Sequence, residues 1–87
     1  MEALKGFVVH GAAVGDDKSI RLDEVSILAD PETIRVLGEF LINASREMVE
    51  SGIEHVHLQD VYQDFSSSQH VDIIALNQVA IQVINKA

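Results

Sequence analysis

The stretch Ala29–Gly52, ADPETIRVLGEFLINASREMVESG, decides the fold, because its start, its face and its end each carry a separate helix signal. Asp30 can accept hydrogen bonds from first-turn amides as an N-cap, Pro31 has its φ preset for the first helical position, and Glu32 suits the positive end of the helix dipole. Gly52 can take the left-handed conformation that closes a helix. A helix is therefore expected from Pro31 to Ser51. At about 100° per residue, Ile34, Leu37, Phe40, Leu41, Ala44 and Met48 fall within an arc of roughly 120°, with Glu32, Arg35, Glu39, Arg46 and Glu50 opposite. Such a helix buries one face.

On its N-terminal side lie two β-rich runs, Leu4–Val14 and Ile20–Ala29, separated by Gly15, Asp16, Asp17, Lys18 and Ser19. Glycine, aspartates and serine between β-branched runs are turn formers, so a hairpin with a loop of a few residues is expected. Asp23 and Glu24 interrupt the alternation of Ile20 and Leu22 with Val25 and Ile27, which implies a bulge or kink in the second strand. On the C-terminal side, His55 to about Tyr62 reads as a third strand, Val56 and Leu58 on one side and His55, His57 and Gln59 on the other. Ser66–Ser68 mark a loop. Val71–Leu76 reads as a strand buried on both faces. The segment from Gln78 to Ala87 fits a fifth strand or a short helix, and the alternation of Val79, Ile81 and Val83 favours the strand.

The expected fold class is therefore α+β: two layers, one amphipathic helix packed on an antiparallel sheet of four or five strands in the order ββαββ(β), as one domain over residues 1–87. One helix covers one sheet face only. Phe7 and Val9 point one way while Leu4, Val8 and Ala12 point the other, and Ile73 and Ile74 repeat this two-sided pattern. The second face must be covered by the C-terminal segment, a second copy or a partner. A homodimer is the expectation adopted.

Composition narrows the function classes. Fourteen Asp and Glu against six Lys and Arg give a net charge of −8, a field that repels phosphates and attracts cationic surfaces, so a nucleic-acid partner is not expected. The balance also suits simple solubility. The absence of cysteine removes disulfides, thiolate metal sites and a cysteine nucleophile. The apolar run Gly6–Val14 after Lys5 weakly imitates a signal peptide, but Glu2 and His10 disturb it. The chain is expected to be complete, cytoplasmic and without membrane attachment.

Two side-chain groupings invite chemistry. His55 and His57 share a strand face and could chelate a metal, but Asp60 has the opposite parity and His10 or His70 would have to come from other strands. They are read as exposed or partner-contacting, with no metal or other cofactor expected. Ser68, His70 and Asp72 name the members of a catalytic triad, yet same-face neighbours in a strand sit nearly 7 Å apart, where a triad needs hydrogen-bond contact. No enzyme activity is expected. Asp60, Tyr62 and Asp64 form an acidic and aromatic cluster at the end of the third strand, open to a basic partner or simply to solvent. Asp16 and Asp17 are read as turn formers.

From Val25 to Asp60 the chain resembles a known family. A short strand, then Ala29-Asp30-Pro31-Glu32, then Leu37 through Phe40-Leu41 and Ala44 to Met48, and finally His55-x-His57-Leu58-x-Asp60 resemble immunity protein family thirty-two of bacterial polymorphic-toxin systems. The resemblance implies a small α+β protein that binds a cognate toxin, without catalysis, and neutralises it inside the producing cell or its kin. Carboxylates in surplus would speed association with a basic toxin. The interface candidates on that reading are His55, His57, Asp60, Tyr62 and Asp64. The alternative is a self-associating structural or accessory domain with no toxin partner.

Overall fold

The computed structural model describes residues 3–85, with side chains for residues 3–81. The order of elements is β1 (Val9–Gly11), β2 (Ile20–Leu22), α1 (Pro31–Ser51), β3 (His55–His57), α2 (Leu58–Val61), β4 (Ile74–Leu76) and α3 (Gln78–Asn85).

The α1 helix forms as its signals require. The extended Asp30 places Oδ1 2.8 Å from the Thr33 amide, whose hydrogen bond, with a further one from the Thr33 side chain, holds the carboxyl below its ordinary range. Gly52 ends the helix in the left-handed region at φ 65°, and its N–H donates to the Met48 carbonyl at 3.0 Å. Arg35 pairs with both Glu32 and Glu39 on the outer face. All three are well exposed, so the pairs add little stability.

The buried stripe is narrower than the expected apolar arc. Phe40 and Ala44 join Val56 and Leu58 in the core, with Leu37, Tyr62, Phe65, Ile73 and Ala75 packed around them. Ile34 and Leu41, together at one edge of the arc, are exposed. The cause is the width of what lies against the helix: one short ribbon and one helical turn.

The expected single sheet of four or five strands does not form. Two separate antiparallel ribbons take its place, β1–β2 and β3–β4. In the first, Val9 faces Leu22, His10 faces Arg21 and Gly11 faces Ile20. The loop runs over residues 12–19. Gly15 supplies a positive φ, and Asp16 closes a local turn by accepting the Lys18 amide at 3.0 Å. Pairing stops at a bend at Asp23, so of the expected bulge or kink it is a kink that forms, and it ends the strand. In the second ribbon His55 faces Leu76, Val56 faces Ala75 and His57 faces Ile74.

Three further expectations are corrected. The third strand ends at His57 rather than near Tyr62, because Leu58 gives its N–H to the Ile73 carbonyl at 2.8 Å and the chain then turns into α2. The Val71–Leu76 run is covered on one side only: Ile73 and Ala75 turn inward while Val71, Ile74 and Leu76 are exposed. The segment from Gln78 is helical rather than a fifth strand. Asn77 starts it, accepting the Val79 amide on Oδ1 at 3.2 Å and the Ile81 amide on its carbonyl at 3.0 Å. Residues 86 and 87 of that expectation lie outside the described residues. Among the described residues, no helix is long and apolar enough to cross a membrane.

Candidate functional site

The β3–β4 ribbon positions the candidate residues. Alternation turns Val56 and its partner Ala75 inward, toward Phe40 and Ala44 of α1. The same alternation puts His55, His57, Ile74 and Leu76 on the other face, away from α1. The two imidazoles lie edge to face, ring centroids 5.2 Å apart, as parity requires. Exposed Leu76 stands opposite His55 and exposed Ile74 opposite His57. The result is a mixed aromatic and aliphatic surface with polar edges, the composition that protein partners dock on.

A carboxylate from outside the ribbon fixes one of these rings. Asp72 Oδ2 accepts a hydrogen bond from His57 Nδ1 at 2.7 Å, and its Oδ1 accepts the Gln59 amide at 3.0 Å. The Gln59 bond also supplies the first turn of α2 with the cap that His57 does not give it. One aspartate therefore orients the histidine and starts the helix that carries Asp60.

Asp60 lies on α2 and Asp64 on the turn that follows, both exposed. Tyr62 is different: it is half-buried against the core, so part of its ring packs inward and the remainder is accessible. On the outer face of α1, Glu32 first and then Glu39 raise the Arg35 guanidinium above its ordinary range. The five candidates thus divide into a histidine pair on the ribbon face and an acidic edge on α2 and its turn, joined at Leu58.

Asp72, Ile74 and Leu76 belong to this surface and were not among the candidates. Strand pairing of 55–57 with 74–76 would have revealed the last two by parity. Ser68, His70 and Asp72 do not form a triad. His70 Nδ1 accepts the Ser66 amide at 2.9 Å, Ser68 shares a hydroxyl contact with Ser66, and Asp72 is engaged by His57. Among the described residues, no group of three or more histidines and carboxylates gathers to hold a metal ion.

The formal charges of the segment that carries the candidates have one sign. Between Glu47 and Asn85 the chain carries Glu47, Glu50, Glu54, Asp60, Asp64 and Asp72, and no lysine or arginine. A surface of this kind attracts a cationic partner over distances up to the screening length.

Comparison with known proteins gives a family match and a distant relative. The model of the family described as Immunity protein 32 matches residues 24–79. A phosphoribosyl imidazole-4-carboxamide isomerase of Persephonella marina is 28% identical over 72 residues, 82% of this chain, which spans 28% of that enzyme's length. No solved structure matches.

Proposed function

We infer the function from one premise: the chain belongs to the Immunity protein 32 family. Membership points to a role in neutralising a cognate toxin, and immunity proteins generally act without catalysis. On our reading the neutralisation is by direct binding, in the cytoplasm, with no cofactor and no nucleic acid or membrane involved, and the protein acts as a homodimer. The toxin presents a basic surface. The contact centre is the outer face of the β3–β4 ribbon, with His55 and His57 flanked by Ile74 and Leu76, and Asp60, Tyr62 and Asp64 form its acidic edge.

The observation that carries this reading is that the family match, residues 24–79, contains all five candidate residues and the helix that supports them. The one-signed charge from Glu47 to Asn85 agrees with a cationic partner. The experiment is co-expression with the product of the gene beside this one, tested as the toxin. Growth should be restored and the two proteins should co-purify. Unrelieved toxicity would contradict the role, and relief without a complex would contradict direct binding.

A further inference from the structure

We propose that the uncovered apolar side of α1 is the surface on which a second copy of this chain docks, the two α1 helices lying antiparallel across a two-fold axis. This rests on the homodimer of the preceding reading and gives it a surface, on α1 rather than on the outer face of the β3–β4 ribbon.

The face follows from the helix. At about 100° per residue, Ile34, Gly38, Leu41, Ile42, Ser45 and Val49 occupy an arc of roughly 100°, beside the strip of Phe40 and Ala44 that the ribbon covers. Ile34, Leu41, Ile42 and Val49 are exposed, Val49 to 84%. Along this side, Ile34, Gly38, Leu41, Ser45, Met48 and Gly52 recur at alternating intervals of four and three residues. That is the repeat on which two helices pack along their length.

Side-chain size selects the orientation and the occupant. In the antiparallel register Leu41 of each copy lies over Ser45 of the other, Met48 over Gly38, and Ile34 over Gly52 at the helix end. Bulk meets a small residue at every level, and the two-fold axis repeats each pairing, as an isologous contact requires. A parallel pair would set Leu41 on Leu41 and Gly38 on Gly38, crowding one level and leaving a void at the next. The place that Ile34 enters is already formed: an apolar groove walled by Ser45, Met48, Val49 and Gly52 and, on α3, by Val79 and Ala80.

Charge selects the same occupant. Among the described residues, Arg46 has no carboxylate within ion-pair distance. It borders the apolar face on the same flank as Glu39, and an antiparallel two-fold sets like flanks together. The register above brings Arg46 of one copy within one residue of level with Glu39 of the other, an offset of about 1.5 Å, and the pair occurs twice. The segment from Glu47 to Asn85 carries no lysine or arginine. A face bearing both signs is complementary to its own copy, whereas that segment is complementary to a basic toxin.

The test is the solution mass at high micromolar concentration, by light scattering, for the full chain and two variants, together with cysteine cross-linking. The unmodified chain should have twice the 9.5 kDa chain mass. Ser45→Glu places a carboxylate under Leu41 of the other copy and should weaken dimerisation by at least about ten-fold. Val14→Glu, at a fully exposed position in the loop of the first hairpin, should leave the mass unchanged. Cross-linking reads the register and does not depend on the Ser45→Glu variant folding, and the chain has no cysteine of its own to interfere. An equal mixture of Leu41→Cys and Ser45→Cys chains should form the mixed disulfide faster than either chain forms a disulfide with itself. A monomeric unmodified chain would overturn the proposal, as would an undiminished Ser45→Glu dimer or an equal loss in Val14→Glu. Faster cross-linking of Leu41→Cys with itself would overturn the α1 surface while leaving the homodimer standing. All of these readouts are taken without the toxin, so their failure leaves the toxin reading untouched.

Discussion

His57 Nδ1 lies 2.7 Å from a carboxylate oxygen of Asp72, so a residue in the segment leading into β4 sets the orientation of a ring on β3. The same carboxylate takes the Gln59 amide at 3.0 Å. Both side chains of the His57–Asp72 pair are more than two-thirds covered, so the contact is partly shielded from water. Asp72→Ala removes both bonds at once and should cost about 1–2 kcal/mol, given the usual worth of partly buried hydrogen bonds to a charged group. Asp72→Asn keeps an acceptor for Gln59 and should cost less. Urea denaturation of the two variants checks the order.

The core offers a harsher test. Phe40 is 2% exposed and is its largest buried side chain. Phe40→Ala should cost about 3–5 kcal/mol, the range for deleting a buried aromatic ring. With so few other residues buried, that loss should leave the chain largely unfolded at 25 °C. Far-UV circular dichroism would show it as loss of the α1 signal.

At the end of α1, Gly52 holds φ at 65°, and a Cβ added there would meet nothing within 4 Å. Any penalty on Gly52→Ala is therefore backbone strain alone, roughly 1 kcal/mol for a left-handed alanine. Gly52→Asn should recover part of it, since asparagine tolerates this region. Paired thermal melts would separate the two variants.

The Asp30 carboxyl gives a pH signature. Hydrogen bonding to Thr33 lowers its folded-state value, so its contribution to stability is present above the unfolded aspartate value of about 3.9. That contribution disappears as pH falls through the lower folded-state value. Asp30→Asn retains a capping oxygen but does not titrate there. Its thermal stability should fall less steeply than that of the unmodified chain as pH drops below about 4, with melts at successive pH values as the readout.

How much of this was legible in the sequence depends on how local the cause was. The α1 boundaries were readable because Asp30, Pro31 and Gly52 act on their own neighbouring backbone. Sheet continuity was not readable. The alternation in Leu4–Val14 and in Val71–Leu76 says that each run can pair, and nothing in it says which edges meet. The C-terminal segment was ambiguous for a physical reason: Val79, Ile81 and Val83 alternate, while Val79, Ala80, Val83 and Ile84 recur at helical spacing. The side chain of Asn77 decides between them by capping. In the candidate site, the shared face of His55 and His57 followed from parity, but Asp72 reaches its partner across fifteen residues, beyond any local pattern.

The acidic edge and the ribbon face should act on different rates. Asp60→Lys combined with Asp64→Lys should slow toxin association by about ten-fold or more at low salt, with a smaller effect at high salt, since edge charges steer encounter. Leu76→Asp, on the proposed contact face beside His55, should instead speed dissociation. Surface plasmon resonance at two ionic strengths distinguishes the two effects.

Neutralisation by binding is tested most directly by titrating the purified toxin with the purified chain, following complex formation and residual toxin activity in the same samples. The account predicts that activity falls in proportion to complex and reaches its floor at a fixed stoichiometry. Toxin activity that stays unchanged while the complex forms, or that falls with no complex present, would contradict it.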